Sequence, residues 1–192
     1  MRHTRTVLGI LGLIGLLVTP AALAGEGHQH AEGQAPPAMP ERPQVDWKAK
    51  LAPVAWMVGE WEGKGQFMGM DYTARQTSKW VFDGTFLQEH ITVLDPEGNV
   101  VHQGLAYYFY DTKEHRILFQ GYSTDGEVGA GLMEVDGELL RFSPLPGYNS
   151  MFEAGYRGTV VRQGENGYRW EMETPGPDGA WQKTGWGEYT RK

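Results

Sequence analysis

From Tyr72 onward, short runs with a period of two are separated by turn-forming clusters, and no stretch with helical spacing lies between them. The clusters are Asp83-Gly84, Asp95-Pro96-Glu97-Gly98-Asn99, Asp111-Thr112-Lys113, Asp125-Gly126, Asp136-Gly137, Gly164-Glu165-Asn166-Gly167 and Pro175-Gly176-Pro177-Asp178-Gly179. Residues of these types supply the tight, often positive-φ positions of hairpins, so each cluster joins neighbouring strands. A consecutive series of hairpins without a crossover helix predicts an up-and-down antiparallel sheet.

The strands themselves are legible. Tyr72, Ala74, Gln76, Ser78, Trp80 and Phe82 alternate with Thr73, Arg75, Thr77, Lys79 and Val81, which is the pattern of a half-buried strand. Tyr168, Trp170 and Met172 alternate in the same way with Arg169, Glu171 and Glu173. The runs Thr85 to Leu94, Val100 to Tyr110, Arg116 to Tyr122, Gly129 to Val135, Glu138 to Ser143 and Met151 to Val161 bring the expected total to about nine or ten strands. An open meander of that length would leave two bare edges, and closure into a barrel removes them. At about eight to ten strands a barrel has more interior than side chains readily fill, which leaves room for one small ligand.

Ahead of the strands, Trp47, Leu51, Val54, Ala55 and Val58 recur at helical spacing behind Asp46. This predicts one or two short helices interrupted at Pro53 and capping one end of the barrel. Gly59 ends the pattern, and a strand is expected from Trp61.

The first 24 residues read as a secretory signal peptide, with Arg2 and Arg5, the apolar run Val7 to Val18, and Ala22-Leu23-Ala24 as the cleavage signature. A run of about a dozen residues is too short to span a bilayer, which takes about 20. With no cysteine in the chain, disulfides and a lipid anchor on cysteine are excluded. A soluble periplasmic or secreted protein is therefore expected. Gly25 to Gln44 is rich in Pro, Gly and Ala and reads as a disordered leader, and residues 45–192 form the barrel domain. His28 and His30 in that leader are weak metal candidates, for Cu(II) or Ni(II), and the favoured reading is incidental residues of a polar linker. The formal charge of −7, more negative once Arg2 and Arg5 are removed, repels phosphate backbones and argues against a nucleic-acid partner.

The segment Leu51-Ala52-Pro53-Val54-Ala55-Trp56-Met57-Val58-Gly59-Glu60-Trp61-Glu62-Gly63-Lys64-Gly65 resembles the start of the bacterial calycin-like family of unknown function numbered fifteen seventy-nine. Lipocalins and nitrobindins share a helix followed by Gly-x-Trp at this place. Gly84 to Glu89, Tyr107 to Lys113 and the closing Glu188-Tyr189-Thr190-Arg191-Lys192 are similar to the same family. The resemblance implies a calycin-like barrel in which Gly59 and Trp61 form a structural plug. Nitrobindin-like relatives hold haem through a histidine near the chain end, whereas here no histidine follows His115, so the haem reading lacks its expected axial ligand.

Inside the expected barrel, the candidate ligand contacts are Tyr72, Gln76, Trp80, His90, His102, Tyr108, Trp170 and Met172. On Val100 to Tyr110, the set His102, Gly104, Ala106, Tyr108 and Tyr110 is placed inward, because its small residues make space. On Thr85 to Leu94 neither face is cleanly polar, so either Glu89 or His90 points inward, and an inward carboxylate would be raised in pKa or paired with an Arg such as Arg157. No phosphate loop, nucleophile elbow or His-x-x-x-His pair is present in the domain. The expected function is non-catalytic binding of a small, largely apolar molecule. Two alternatives stand beside it: a haem-dependent or cofactor-free enzyme using His90, His102 or Glu89, and an envelope interaction module with a solid barrel.

Overall fold

The computed structural model describes residues 44–147 and 155–192. The segment read as a signal peptide, the expected leader up to residue 43 with His28 and His30, and the start of the run read from Met151 lie outside the described residues.

A four-residue helix, α1 (Trp47–Lys50), begins behind Asp46, whose carboxylate accepts a hydrogen bond from the Ala49 N–H at 3.0 Å. Pro53 then sits at the start of a separate 3-10 helix, Ala52–Met57. The ring has no N–H to continue the first helix, so two short helices form in place of one. Ten strands follow: β1 (Gly59–Phe67), β2 (Met70–Val81), β3 (Phe86–Leu94), β4 (Val100–Asp111), β5 (Arg116–Ser123), β6 (Val128–Asp136), β7 (Leu139–Pro144), β8 (Arg157–Arg162), β9 (Gly167–Pro175) and β10 (Trp181–Arg191). Each pairs antiparallel with the next, and β1 pairs with β10 from Trp61 opposite Arg191 to Phe67 opposite Gly185, which closes the barrel.

The period-two pattern maps onto inside and outside. In β2, Tyr72, Ala74, Gln76 and Ser78 are buried while Thr73, Arg75, Thr77 and Lys79 are exposed. The outward residues of β9 and β10 meet as ion pairs, with Arg169 to Glu171 at 2.7 Å and Lys183 to Glu171 at 2.8 Å. The turn between β1 and β2 escaped the composition signals. Phe67 and Met70 close a hairpin around Met68-Gly69, in which Gly69 has φ +83°. The first strand also starts two residues before Trp61, at Gly59.

The helices cap one end. Leu51, Val54 and Met57 are buried against Leu87, Tyr108, Ile117, Met133 and Leu140. Trp61, 1% exposed, lies beneath them and donates its indole N–H to the Met57 carbonyl at 2.8 Å. The Arg191 guanidinium stacks 4.2 Å from the Trp61 ring and donates to the carbonyls of Val58 (2.7 Å) and Trp56 (2.8 Å). That clamp ties the last strand to the turn between helix and first strand. Gly59 is required there: its φ is +135°, and a Cβ would run into the Arg191 guanidinium.

Candidate functional site

The interior is not filled evenly. On the inner face of β4, β5 and β6, Gly104 lies opposite Ser123, Ala106 opposite Gly121, and Gly121 opposite Gly129, so one part of the wall carries almost no side chain. At Gly129 an added Cβ would meet nothing within 4 Å, and at Gly121 only the Leu105 carbonyl at 3.9 Å. The rest of the wall is large, including Tyr108, Phe119, Phe142, Tyr168, Trp170, Met172 and Tyr189. Between the two lies a cavity of about 390 Å³, within the range of small-molecule sites. Its far end is closed by Met57 of the helical cap, while His102, Tyr122, Ser123 and Glu127 stand where it opens.

The cavity has one polar focus. Glu89 projects into it from β3, and its Oε2 accepts hydrogen bonds from Gln76 Nε2 at 3.1 Å and from the Tyr108 hydroxyl at 3.3 Å. Gln76 Nε2 also reaches Ser78 Oγ at 3.3 Å, and Gln76 Oε1 accepts from the Tyr168 hydroxyl at 2.5 Å. Every group in this chain of contacts is therefore oriented by another. Burial pushes the Glu89 carboxyl up to about 7, against a smaller opposing effect of the Tyr108 hydrogen bond. Burial likewise raises the hydroxyls of Tyr108, Tyr168 and Tyr189 well above their ordinary value, which keeps them neutral donors.

Of the sequence candidates, Gln76, His102, Tyr108, Trp170 and Met172 line the cavity. Tyr72 is inward and buried but packs below the opening with Trp61, Tyr168 and Tyr189, and its hydroxyl accepts from the Trp170 indole at 3.1 Å. Trp80 shares the inner face of β2 and packs against the core under the helical cap, away from the cavity. His90 is corrected: it is exposed on the outer face, opposite Thr77 and Leu105, because Glu89 takes the inward register opposite Ser78 and Ala106. Arg157 is corrected as well. It lies outside, paired to Glu173 at 2.7 Å and stacked on Trp181 at 4.5 Å. Tyr168, Tyr189, Phe119, Tyr156 and the glycines of β5 and β6 join the site without having been singled out, since their convergence depends on cross-strand register.

Among the described residues, His102 is the one histidine on the cavity wall, with its Nδ1 3.5 Å from Asp125. Among the described residues no group of three or more His, Cys, Asp or Glu is placed to hold a metal ion. No helix among them is long and apolar enough to cross a membrane.

No protein-family model matches the chain, and no curated protein matches its sequence. The fold is similar to that of Rv2717c from M. tuberculosis, with a TM-score of 0.58 at 13% identity over 77% of this chain and 99% of that one. A de novo designed fluorescence-activating β-barrel gives a TM-score of 0.39 at 14% identity over 71% of this chain and 94% of that one. The first likeness shows a shared β-barrel fold; the second is too low to add to it.

Proposed function

We propose that the chain is an exported, calycin-like barrel that binds a small, largely apolar molecule in the cavity between the glycine-lined wall of β4–β6 and the aromatic wall of β8–β10. The observation that carries this reading is the wall itself. Ala106, Gly121 and Gly129 lie side by side and leave the inner wall nearly bare, and the Glu89 carboxylate beside them is held in a fixed orientation. The amino-terminal pattern of Arg2, Arg5, an apolar run and Ala22-Leu23-Ala24 supports export, and the Gly59-Glu60-Trp61 segment beneath a capping helix supports the calycin-like assignment. Non-catalytic binding fits a site in which Glu89 Oε2, Gln76 and the Tyr108 and Tyr168 hydroxyls are engaged with one another. A second, enzymatic reading is favoured only by Glu89, whose carboxyl near 7 suits proton exchange.

The test is titration of the purified chain with the neutral dye N-phenyl-1-naphthylamine. Saturable one-to-one enhancement of dye emission, with quenching of tryptophan fluorescence through Trp170, supports an accessible apolar interior. Absence of saturable binding by that dye and by pooled envelope lipids overturns it.

A further inference from the structure

The charge of the cavity wall is one-sided. Among the described residues lining it are two carboxylates, Glu89 and Glu127, and no Lys or Arg. Glu89 Oε2 is engaged by Gln76 and Tyr108, whereas no hydrogen bond to Oε1 is made among the described residues. Both of the side chains that hold Glu89 are neutral, so a carboxylate here has its geometry fixed and its charge uncompensated. A buried charge is costly until an opposite charge joins it. The same cavity is lined by the rings of Tyr108, Phe119, Phe142, Tyr156 and Trp170, and aromatic faces attract cations as well as apolar groups.

We propose that the ligand of this cavity is an apolar amine, an organic cation whose hydrocarbon or aromatic body fills the space along β4–β6 and whose ammonium group pairs with Glu89. The proposal rests on the interior-binding reading above and names its ligand class. An apolar acid is excluded by the same charge, and a neutral alcohol of equal shape gains the apolar contacts without the ion pair. Ammonium N–H groups donate to the open Oε1 of Glu89, and the Gln76 amide keeps the carboxylate aimed at them.

Protonation of Glu89 competes with the ammonium, so affinity for an amine falls as pH drops below the Glu89 titration, about 7. The groups facing Glu89 are Gln76 and Ser78 from β2, Tyr108 from β4, Tyr168 from β9 and Tyr189 from β10, with Tyr156 ahead of β8 facing Tyr108. The tyrosine hydroxyls stay neutral in this window. The other groups on the wall able to change charge are His102 and Glu127 near the opening.

The experiment compares three probes of one shape, 1-naphthylmethylamine, 1-naphthalenemethanol and 1-naphthoic acid, by calorimetric titration of the purified chain and its Glu89→Gln variant from pH 5.5 to 8.5. A charge-assisted hydrogen bond adds roughly 1.5–3 kcal/mol, which is roughly a 10- to 100-fold preference for the amine over the alcohol at pH 8. That preference is expected to shrink about tenfold per unit below pH 7, and to vanish with its pH dependence in Glu89→Gln while the alcohol still binds. Alcohol binding equal to or tighter than amine binding in the wild type overturns the amine proposal and leaves interior binding standing. Failure of all three probes overturns both. A pH slope that persists in Glu89→Gln places the counter-ion at Glu127, or the slope in repulsion by a protonated His102, and overturns the assignment to Glu89. If Glu89→Gln does not fold, the wild-type ratio of amine to alcohol across pH decides alone.

Discussion

Replacing Glu89 with Gln removes a carboxyl that the folded barrel holds at an unfavourable place for charge, while an amide in the same shape keeps the contacts to Gln76 and Tyr108. The carboxyl titrates near 4.5 when exposed and near 7 in the barrel. The folded chain therefore holds the proton more tightly than the unfolded chain, and stability falls as pH rises from 4.5 through 7. Those limits set a ceiling of about 3 kcal/mol, at about 1.4 kcal/mol per unit. The cavity side of the carboxylate admits water, which brings the expected value below that ceiling. Wild type and Glu89→Gln are thus expected to unfold at similar urea concentrations near pH 4.5. By pH 8 the variant should be ahead by about 1–2 M, given slopes of roughly 1–3 kcal/mol/M. Parallel urea titrations read by tryptophan fluorescence, at pH 4.5, 6, 7 and 8, measure the divergence. A constant difference across that range, or a wild type that gains on the variant as pH rises, would refute an inward, desolvated Glu89.

Other perturbations test the supports of the site. Arg191→Met removes the stack on Trp61 and the hydrogen bonds to the Val58 and Trp56 carbonyls, and is expected to cost about 2–4 kcal/mol in thermal melts; a change under about 0.5 kcal/mol would discount the clamp. Gly158→Ala drives a Cβ into the Phe142 ring and should cost about 1–3 kcal/mol. Gly129→Ala, facing open space, should stay within about 1 kcal/mol of wild type, since only backbone freedom changes. His90→Ala alters an exposed outer residue and should leave stability within about 0.5 kcal/mol and dye binding unchanged; loss of binding would put His90 back in the site.

The barrel was legible because its signals are local. Asp125-Gly126 and Asp136-Gly137 are hairpin turns wherever they stand, and the clean alternation of Tyr72 to Lys79 fixes its own inner face. Pro53 marked the break between the helices for an equally local reason. The site was legible only in part. In β3, Leu87, Ile91 and Val93 share the face of Glu89 while Phe86 and Leu94 share that of His90, so hydrophobicity alone does not choose between the two. Pairing with Ser78 and Ala106 does. Gly121 and Gly129 read as ordinary strand glycines until the register sets them side by side, and the Trp61–Arg191 stack joins residues at opposite ends of the domain.

The central claim is that the hollow of the barrel does the binding, and Gly129→Leu addresses it most directly. The added side chain enters empty space lined by apolar groups, so the fold should survive with an unchanged circular dichroism spectrum and a melting temperature at or near that of wild type. Titrated with N-phenyl-1-naphthylamine beside the wild type, this variant is expected to lose binding by at least about tenfold, the worth of roughly 1.4 kcal/mol of displaced apolar contact. Equal dye affinity in a folded Gly129→Leu barrel would contradict the account.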